Sequence, residues 1–181
     1  MPHVCPWWGG YFIDNRLRRW VHNPGRILAP YLTTGMTVLD FGCGMGLFAI
    51  AAARSIGDTG QVIAVDLQPQ MLEVLRKRAE KAGVAERILT HHCETDTLRW
   101  DQPVDFAFAV YSAHEVPDSQ RLLREIHDLL RPGGRFLVVE PIGHVTATAF
   151  ERTISEAEAA GFQLAERPRV RWSHSAVFAL P

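Results

Sequence analysis

The sequence contains no apolar run long enough to cross a membrane. Its charge-free stretches, such as Phe41 to Ala53, fall short of the roughly 18 apolar residues that a membrane-spanning helix requires. The first twenty residues hold Asp14 and three arginines, without the apolar segment of a secretory signal. We therefore expect a cytoplasmic protein that has no membrane partner.

Cysteine is scarce, and neither sign of charge is in excess. Three cysteines at wide spacings, with no CxxC pair, argue against a disulfide framework and are typical of a reducing compartment. Nineteen Lys and Arg residues stand against twenty Asp and Glu residues, so the net charge of −1 offers no overall field to attract nucleic acid. The 181 residues contain no repeat or low-complexity tract, which indicates one globular domain.

From residue 37 onward, short apolar runs alternate with amphipathic segments. This alternation predicts βαβ units, and therefore an α/β fold around a parallel sheet. The predicted strands are 37–41, 61–66, 87–92, 104–111 and 136–140, followed by a hairpin of 162–167 and 173–180. The predicted helices are 47–54, Pro69 to Gly83, Asp118 or Ser119 to the turn at 131–134, and a helix that begins at a Thr148-x-x-Glu151 capping box and ends at Gly161.

Residues 1–35 differ in character from the rest. Leu17, Trp20 and Val21 form a short helical stripe, Asn23-Pro24-Gly25 interrupts it, and apolar residues from Ile27 resume it up to Gly35. We interpret 1–35 as a helical arm that belongs to the same domain as 36–181.

A glycine loop follows the first strand, in Asp40-Phe41-Gly42-Cys43-Gly44-Met45-Gly46. Glycines let a ligand approach the backbone closely, and the next helix presents its N-terminal N–H groups there. The dinucleotide fingerprint GxGxxG would require a third glycine at Leu47. Because a carboxylate at Asp40 repels a pyrophosphate and attracts an ammonium group, a ligand with an amino group is favoured.

A second acid, Asp66, closes the second predicted strand. A carboxylate in this position can accept hydrogen bonds from both hydroxyls of a ribose. Taken alone, it is also an ordinary acid at the end of a strand.

Taken together, these motifs closely resemble those of class I S-adenosylmethionine-dependent methyltransferases, in particular small methyltransferase-domain proteins related to the quinone-biosynthesis type. The resemblance implies a Rossmann-like, doubly wound, seven-stranded sheet with its last strand antiparallel. It rests on the glycine loop, on Val65-Asp66-Leu67 with the following Met71-Leu72, on Glu94, Asp105-Phe106 and His114-Glu115-Val116-Pro117-Asp118, and on Leu130-Arg131-Pro132-Gly133-Gly134-Arg135-Phe136.

The resemblance also implies S-adenosylmethionine as cofactor and a role for each matching residue. Asp40 would hold the methionine amino group through the loop, and Asp66 would bind the ribose. The remaining positions implied in cofactor binding are Gly42, Cys43, Gly44, Gly46, Leu67, Met71, Glu94, Thr95, Val110 and Tyr111. Glu94 departs from the family pattern, in which Asp is the usual acid.

Methyl transfer from this cofactor is an in-line displacement, so the protein mainly aligns the reactants and excludes water. A hydroxyl acceptor usually requires a base, whereas a thiol or carbanion does not. The candidate bases are His114 and Glu115, in the loop that follows the fourth strand, and His144, in the loop that follows the fifth. His114 packing against the cofactor is the simpler interpretation. We expect a small or flat apolar acceptor bound among Trp7, Trp8, Tyr11, Phe12, Tyr111 and His144, and a monomer or homodimer.

Other functions remain as alternatives. The protein could bind the cofactor without catalysis, and no motif separates this possibility from an enzyme. The segment Tyr111-Ser112-Ala113-His114 lacks the pattern of adenine amino-methyltransferases, which makes nucleic acid a less favoured acceptor. A zinc site of His3, Cys5, His91, His92 and Cys93, or arsenite methylation through the three thiols, is a weaker possibility, because the spacings match no metal motif and Cys43 lies in the cofactor loop. We expect no metal.

Overall fold

The computed structural model describes residues 22–95 and 97–181. A seven-stranded sheet has the order β3-β2-β1-β4-β5-β7-β6, and β7 runs antiparallel to both of its neighbours. The strands are β1 Thr37–Phe41, β2 Gln61–Asp66, β3 Ile88–His92, β4 Val104–Val110, β5 Leu130–Pro141, β6 Gln163–Glu166 and β7 Ser173–Ala179. The predicted Rossmann-like architecture with an antiparallel last strand is confirmed.

Helices cover both faces of the sheet. They are α1 Pro24–Leu28, α2 Leu47–Ser55, α3 Pro69–Ala82, α4 Ser119–Leu129 and α5 Ala147–Ala159, with short 3-10 turns at Ala85–Arg87 and Ala113–Glu115. Alternate strand residues enter separate cores. Leu39 and Ala107 pack with α4 and α5, whereas Val38 and Phe106 pack with α1, α2 and α3. This two-sided burial explains why the central strands are apolar throughout.

The described part of the predicted arm, residues 22–35, lies against the α2 side of the sheet. Asn23 caps the start of α1: its side chain accepts a hydrogen bond from the Arg26 N–H at 3.1 Å, and Pro24 occupies the first helical position. The helix ends at Leu28. Beyond it, Tyr31 is buried and its ring stacks on that of Phe106 at 5.5 Å. The stripe of Leu17, Trp20 and Val21 lies outside the described residues.

Other element boundaries differ from the prediction for local reasons. The capping residue of α5 is Thr146, whose hydroxyl accepts from the Ala149 N–H, so the predicted box at Thr148 is wrong by two residues. Glu151 instead pairs with Arg167 at 2.8 Å. The turn predicted at 131–134 is part of β5. These residues are accommodated by a shift in the pairing of β5 with β4 between Val104 and Phe106.

Within the described residues, no helix is long and apolar enough to cross a membrane.

Candidate active site

The strand order reverses between β1 and β4, and the loops that follow these two strands border the region that we call the crevice. The chain leaves β1 toward β2 on one side, while β4 lies on the other side. The loops after these strands therefore diverge, which is the place where doubly wound sheets bind ligands. Residues 42–46 and 111–115 form the two lips of this crevice and touch each other, because Ser112 packs against Gly42.

Asp40 lies at the base of the crevice and is 2% exposed to solvent. Among the described residues, its Oδ2 atom is buried without a hydrogen-bond partner. Burial raises the pKa of Asp40 well above its ordinary value, and the neighbouring charge of Asp66 raises it further, although the backbone N–H of Ala49 opposes both effects. A buried carboxylate oxygen with no partner is costly. Asp40 is therefore suited to a ligand that brings a donor or a positive charge.

The glycine loop requires glycine for two different reasons. A Cβ on Gly42 would lie 2.2 Å from Cβ of Ser112, and one on Gly46 would lie 2.6 Å from Cγ of Leu75, so the protein itself fills the space at both positions. A Cβ on Gly44 would meet nothing within 4 Å. All three glycines have positive φ, from +51° to +85°. The loop is thus clamped at its two ends, and its middle faces open space that a ligand can occupy.

Asp66, at the end of β2, supports the same loop. Its Oδ2 accepts the Gly44 N–H at 2.8 Å and its Oδ1 accepts the Gln68 N–H at 2.9 Å. Burial raises the pKa of Asp66, while these two backbone contacts oppose the shift. Each oxygen keeps a lone pair beyond its backbone contact. Asp66 can therefore hold the loop and still accept hydrogen bonds from two hydroxyls of a ligand.

The opposite lip is built from side chains rather than glycine. Tyr111 directly follows β4 and has a φ of +65°, an uncommon conformation for a residue with a side chain. Its hydroxyl lies 2.8 Å from His22 Nε2 and 2.6 Å from Ser173 Oγ. The Ser112 hydroxyl donates to the Phe41 carbonyl at 2.7 Å, which ties this lip to β1. Three distant chain segments thus hold Tyr111 and Ser112 in place.

His114 is held by Glu140, a residue that no sequence motif indicated. Glu140, at the end of β5 with its side chain 3% exposed, accepts the His114 backbone N–H at 3.0 Å and the ring Nδ1 at 2.6 Å. The His144 ring lies edge-on to His114, with 5.8 Å between centroids. The position of Glu140 in the sequence could have indicated it, because this residue stands at the end of a strand, as Asp40 and Asp66 do. The two histidine candidates are therefore brought together.

The remaining predicted cofactor positions lie around the first lip or beyond it. Leu67 and Val110 are half-buried at the ends of β2 and β4, and Met71 is buried in the first turn of α3. Glu94 and Thr95 are exposed after β3, and Glu94 forms an ion pair with Arg99 at 2.8 Å. The Glu94 carboxylate thus lies at the surface rather than in the buried part of the crevice.

The residues proposed for metal binding have other partners. His91 Nε2 bonds the Leu98 carbonyl and His92 Nε2 bonds the Leu67 carbonyl. Burial raises the pKa of the Cys43 thiol and raises that of Cys93 to about 11, so both remain thiols rather than metal-binding thiolates near neutral pH. The described ranges 22–95 and 97–181 contain no cluster of three or more candidate ligands. His3 and Cys5 lie outside them, as do Trp7, Trp8, Tyr11 and Phe12.

The fold and the two-lipped crevice define a class I S-adenosylmethionine-dependent methyltransferase, and comparison with known proteins agrees. The family model described as a methyltransferase domain matches residues 38–134. This match spans more than half of the chain, so the chain belongs to that family, whose cofactor is S-adenosylmethionine.

Curated relatives add a narrower likeness. The chain is 36% identical over 115 residues to the ubiquinone/menaquinone biosynthesis C-methyltransferase UbiE of Cellvibrio japonicus, a match that covers 63% of this chain and 46% of the relative. It is 34% identical over 107 residues to the UbiE protein of Haemophilus ducreyi, covering 59% of this chain and 41% of the relative. The chain thus matches less than half the length of these relatives.

Solved structures support the fold. A S-adenosylmethionine-dependent methyltransferase from Aquifex aeolicus superposes with a TM-score of 0.88 at 21% identity, covering 98% of this chain and 100% of the other. The [4+2]-cyclase SpnF superposes with a TM-score of 0.72 at 19% identity, covering 87% and 79%. Since one of these two is named as a cyclase, the architecture alone does not specify the reaction.

Proposed function

We propose that this protein transfers a methyl group from S-adenosylmethionine to a small-molecule acceptor. The observation that carries the proposal is the buried Oδ2 atom of Asp40, which has no partner among the described residues and lies beside the glycine loop. The ammonium group of the cofactor supplies the donor and the positive charge that this oxygen lacks. Family membership and the UbiE relatives, which are named as C-methyltransferases, support the same chemistry.

The chain's own residues would bind and orient the cofactor. Asp40 would balance the positive charge of the cofactor's ammonium group, and the backbone of residues 42–46 would lie along the amino-acid part of the cofactor. Asp66 would accept hydrogen bonds from the ribose hydroxyls. Leu67 and Met71 would border the adenine, with Glu94 and Thr95 at its outer edge and Val110 and Tyr111 near the methyl group. When bound, S-adenosylmethionine supplies a methyl group already activated for displacement. The protein then has to align an acceptor with it and keep water away.

A small acceptor is supported by the charge and by the second lip. The net charge of −1 provides no field for nucleic acid. Among the described residues, the side chains on or beside the second lip include the phenol ring of Tyr111 and the imidazoles of His114 and His144. These groups suit a flat organic molecule better than a polyanion. Cytoplasmic localisation and a monomeric or dimeric state stay predictions from the sequence.

Calorimetric titration with S-adenosylmethionine tests the proposal. We expect saturable binding at one site per chain, weakened at least about tenfold by Asp40→Asn or Asp66→Asn. Transfer of a labelled methyl group from the cofactor to small molecules of a cell extract then tests catalysis. Tight binding without any transfer would support the cofactor-binding protein without catalysis, whereas unchanged affinity in both variants would refute the assigned site.

A further inference from the structure

Glu140 is a buried carboxylate whose side-chain hydrogen bonds, among the described residues, all come from His114. Its side chain is 3% exposed, and each of its oxygens accepts one hydrogen bond from His114, Oε1 from the backbone N–H and Oε2 from the ring. Burying a carboxylate is costly unless its lone pairs are satisfied. The two contacts therefore fix the backbone of the 3-10 turn Ala113–Glu115 and the orientation of the imidazole at once.

The contact with Glu140 also determines the tautomer of His114. A carboxylate can only accept, so the proton of the neutral imidazole lies on Nδ1 and points at Glu140 Oε2. Nε2 then carries the lone pair. No described residue forms a hydrogen bond with Nε2, and the side chain is 23% exposed at the lip of the crevice. The neutral ring can therefore accept a proton at Nε2.

Charge around the ring favours protonation. The hydrogen bond to Glu140 raises the pKa of His114, burial opposes this shift, and the charges of Glu140 and Glu115 add to it. The titratable groups that face the ring are Glu140 from β5, Glu115 from the same turn, and His144 from the loop after β5. The imidazolium that forms on proton uptake therefore has a buried counter-charge in hydrogen-bond contact.

We propose that His114 is the base that deprotonates the acceptor, that Glu140 is its positioning residue, and that the acceptor belongs to the class of phenols and enols. This inference rests on the proposed function. The O–H bond of the acceptor breaks, its electron pair stays on oxygen, and the proton passes to His114 Nε2. That oxygen forms the new bond to the methyl carbon, and the bond from the methyl carbon to sulfur breaks with both electrons left on sulfur.

The charge balance explains the need for Glu140. The positive charge of the sulfonium is replaced by that of the His114 imidazolium, so the crevice keeps its net charge throughout the step. An aromatic thiol, which is ionised near neutral pH, would not require the base. The effect of the dyad on a hydroxyl and on a thiol acceptor is therefore expected to differ.

Rates of methyl transfer to catechol and to thiophenol, each measured against pH, test this difference. For catechol we expect His114→Gln to lower kcat at least about 100-fold. Glu140→Gln is expected to lower kcat about tenfold and to move the acidic limb of the profile to lower pH, because the pKa of His114 falls. Thiophenol transfer is expected to change by less than about threefold. Equal losses with both probes, transfer to thiophenol alone, or transfer to neither would overturn the proposal.

Glu115→Gln serves as the matched control. It removes a carboxylate that also raises the pKa of His114 but does not hydrogen-bond its ring. We expect it to shift the pH profile less than Glu140→Gln does. An equal shift would mean that local charge alone acts, and it would overturn the positioning role of Glu140.

Nitrogen-15 NMR of the histidines, with S-adenosylhomocysteine present, gives a readout that does not depend on turnover. We expect Nε2 of His114 to lose its proton first as the pH rises, at a pH above the ordinary value of 6.5, and Glu140→Gln to lower that pH. A proton retained on Nε2, or no change in the variant, would overturn the proposal.

The same samples separate this inference from the proposed function. Glu140→Gln is expected to bind S-adenosylmethionine within about threefold of the wild-type affinity, because Glu140 contacts His114 rather than the glycine loop. If the wild-type protein fails to bind the cofactor, the proposed function is wrong. If it binds while the titration of His114 contradicts expectation, only the inference about the dyad is wrong.

Discussion

Asp40 and Glu140 end two parallel strands of the sheet, and both residues are 2% exposed, but their environments are opposite. Asp40 has a buried oxygen without a partner among the described residues. Both oxygens of Glu140 are satisfied by His114. An unsatisfied buried acid indicates that a ligand completes the site, whereas a satisfied one indicates that the acid acts through its protein partner.

The lips above these acids differ in the same way. On the Asp40 side, residues 42–46 offer mainly backbone, with glycines at positive φ. On the Glu140 side, the second lip carries Tyr111, Ser112 and His114, whose side chains form hydrogen bonds with distant segments of the chain. Backbone donors suit a constant cofactor, and side chains can be exchanged for different acceptors. Specificity and proton transfer are thus expected to reside on the second lip.

The largest effect is expected from Gly42→Ala. Its Cβ would collide with Ser112, where the two lips meet, in a left-handed conformation, at a cost of about 2–5 kcal/mol. Urea unfolding measures this loss. Gly44→Ala is the matched control. Its only cost is that of placing a residue with a Cβ in a left-handed conformation, about 1–2 kcal/mol, but its methyl group enters the open space. We expect this control to fold and to bind S-adenosylmethionine poorly. A well-folded Gly42→Ala protein would contradict the close contact of the lips.

Asp40→Asn tests the unsatisfied acid. Burial raises the pKa of Asp40, so the wild-type protein without ligand loses stability as pH rises from the ordinary carboxyl value of 3.8 through the raised folded value. The variant avoids this loss. At pH 7 we expect it to gain about 1–3 kcal/mol and roughly 2–8 °C in Tm, while its affinity for the cofactor falls.

The exposed Asp101→Asn provides the control for Asp40→Asn and is expected to change neither quantity. Scanning calorimetry without ligand at pH 4 and pH 7 checks the sign of the effect. A variant less stable than the wild type at pH 7 would mean that Oδ2 of Asp40 has a partner in the protein.

Glu140→Gln tests the satisfied acid by its effect on stability. Because the hydrogen bond raises the pKa of His114, the stabilisation is fully present below the ordinary value of 6.5 and is lost as pH rises through the folded value. We expect the variant to be less stable by about 1.5–3 kcal/mol at pH 5 and by less at pH 9. Urea unfolding at both pH values measures the difference, and a deficit that grows with pH would contradict the pairing.

The smallest effect is expected from the Glu94 and Arg99 ion pair, which is half-exposed. Either Glu94→Gln or Arg99→Gln should change the free energy of unfolding by less than about 0.5 kcal/mol. If Glu94 contacts the adenine, as the resemblance implies, only Glu94→Gln should weaken cofactor binding, by about three- to tenfold. Equal affinities of the two variants would remove Glu94 from the cofactor site.

Much of the fold was predictable because it depends on local patterns. The apolar run before Asp40, the glycine at the end of α3 and the spacing of apolar residues along α4 each follow from short-range chemistry, and the structure confirms them. The start of α1 and the cap of α5 were wrong by a few residues. The side chains of Asn23 and Thr146 cap these helices by accepting hydrogen bonds from backbone N–H groups of the first turn.

The sequence by itself determined the α/β class of the fold, the glycine loop and the strand-end acids Asp40 and Asp66, because these follow from contiguous motifs. Only the tertiary structure decided that Glu140 meets His114, 26 residues away in the chain, and that Ser112 closes on Gly42. Both contacts join loops from different strands at one edge of the sheet. Such contacts depend on how neighbouring strands are placed side by side, which no local pattern encodes.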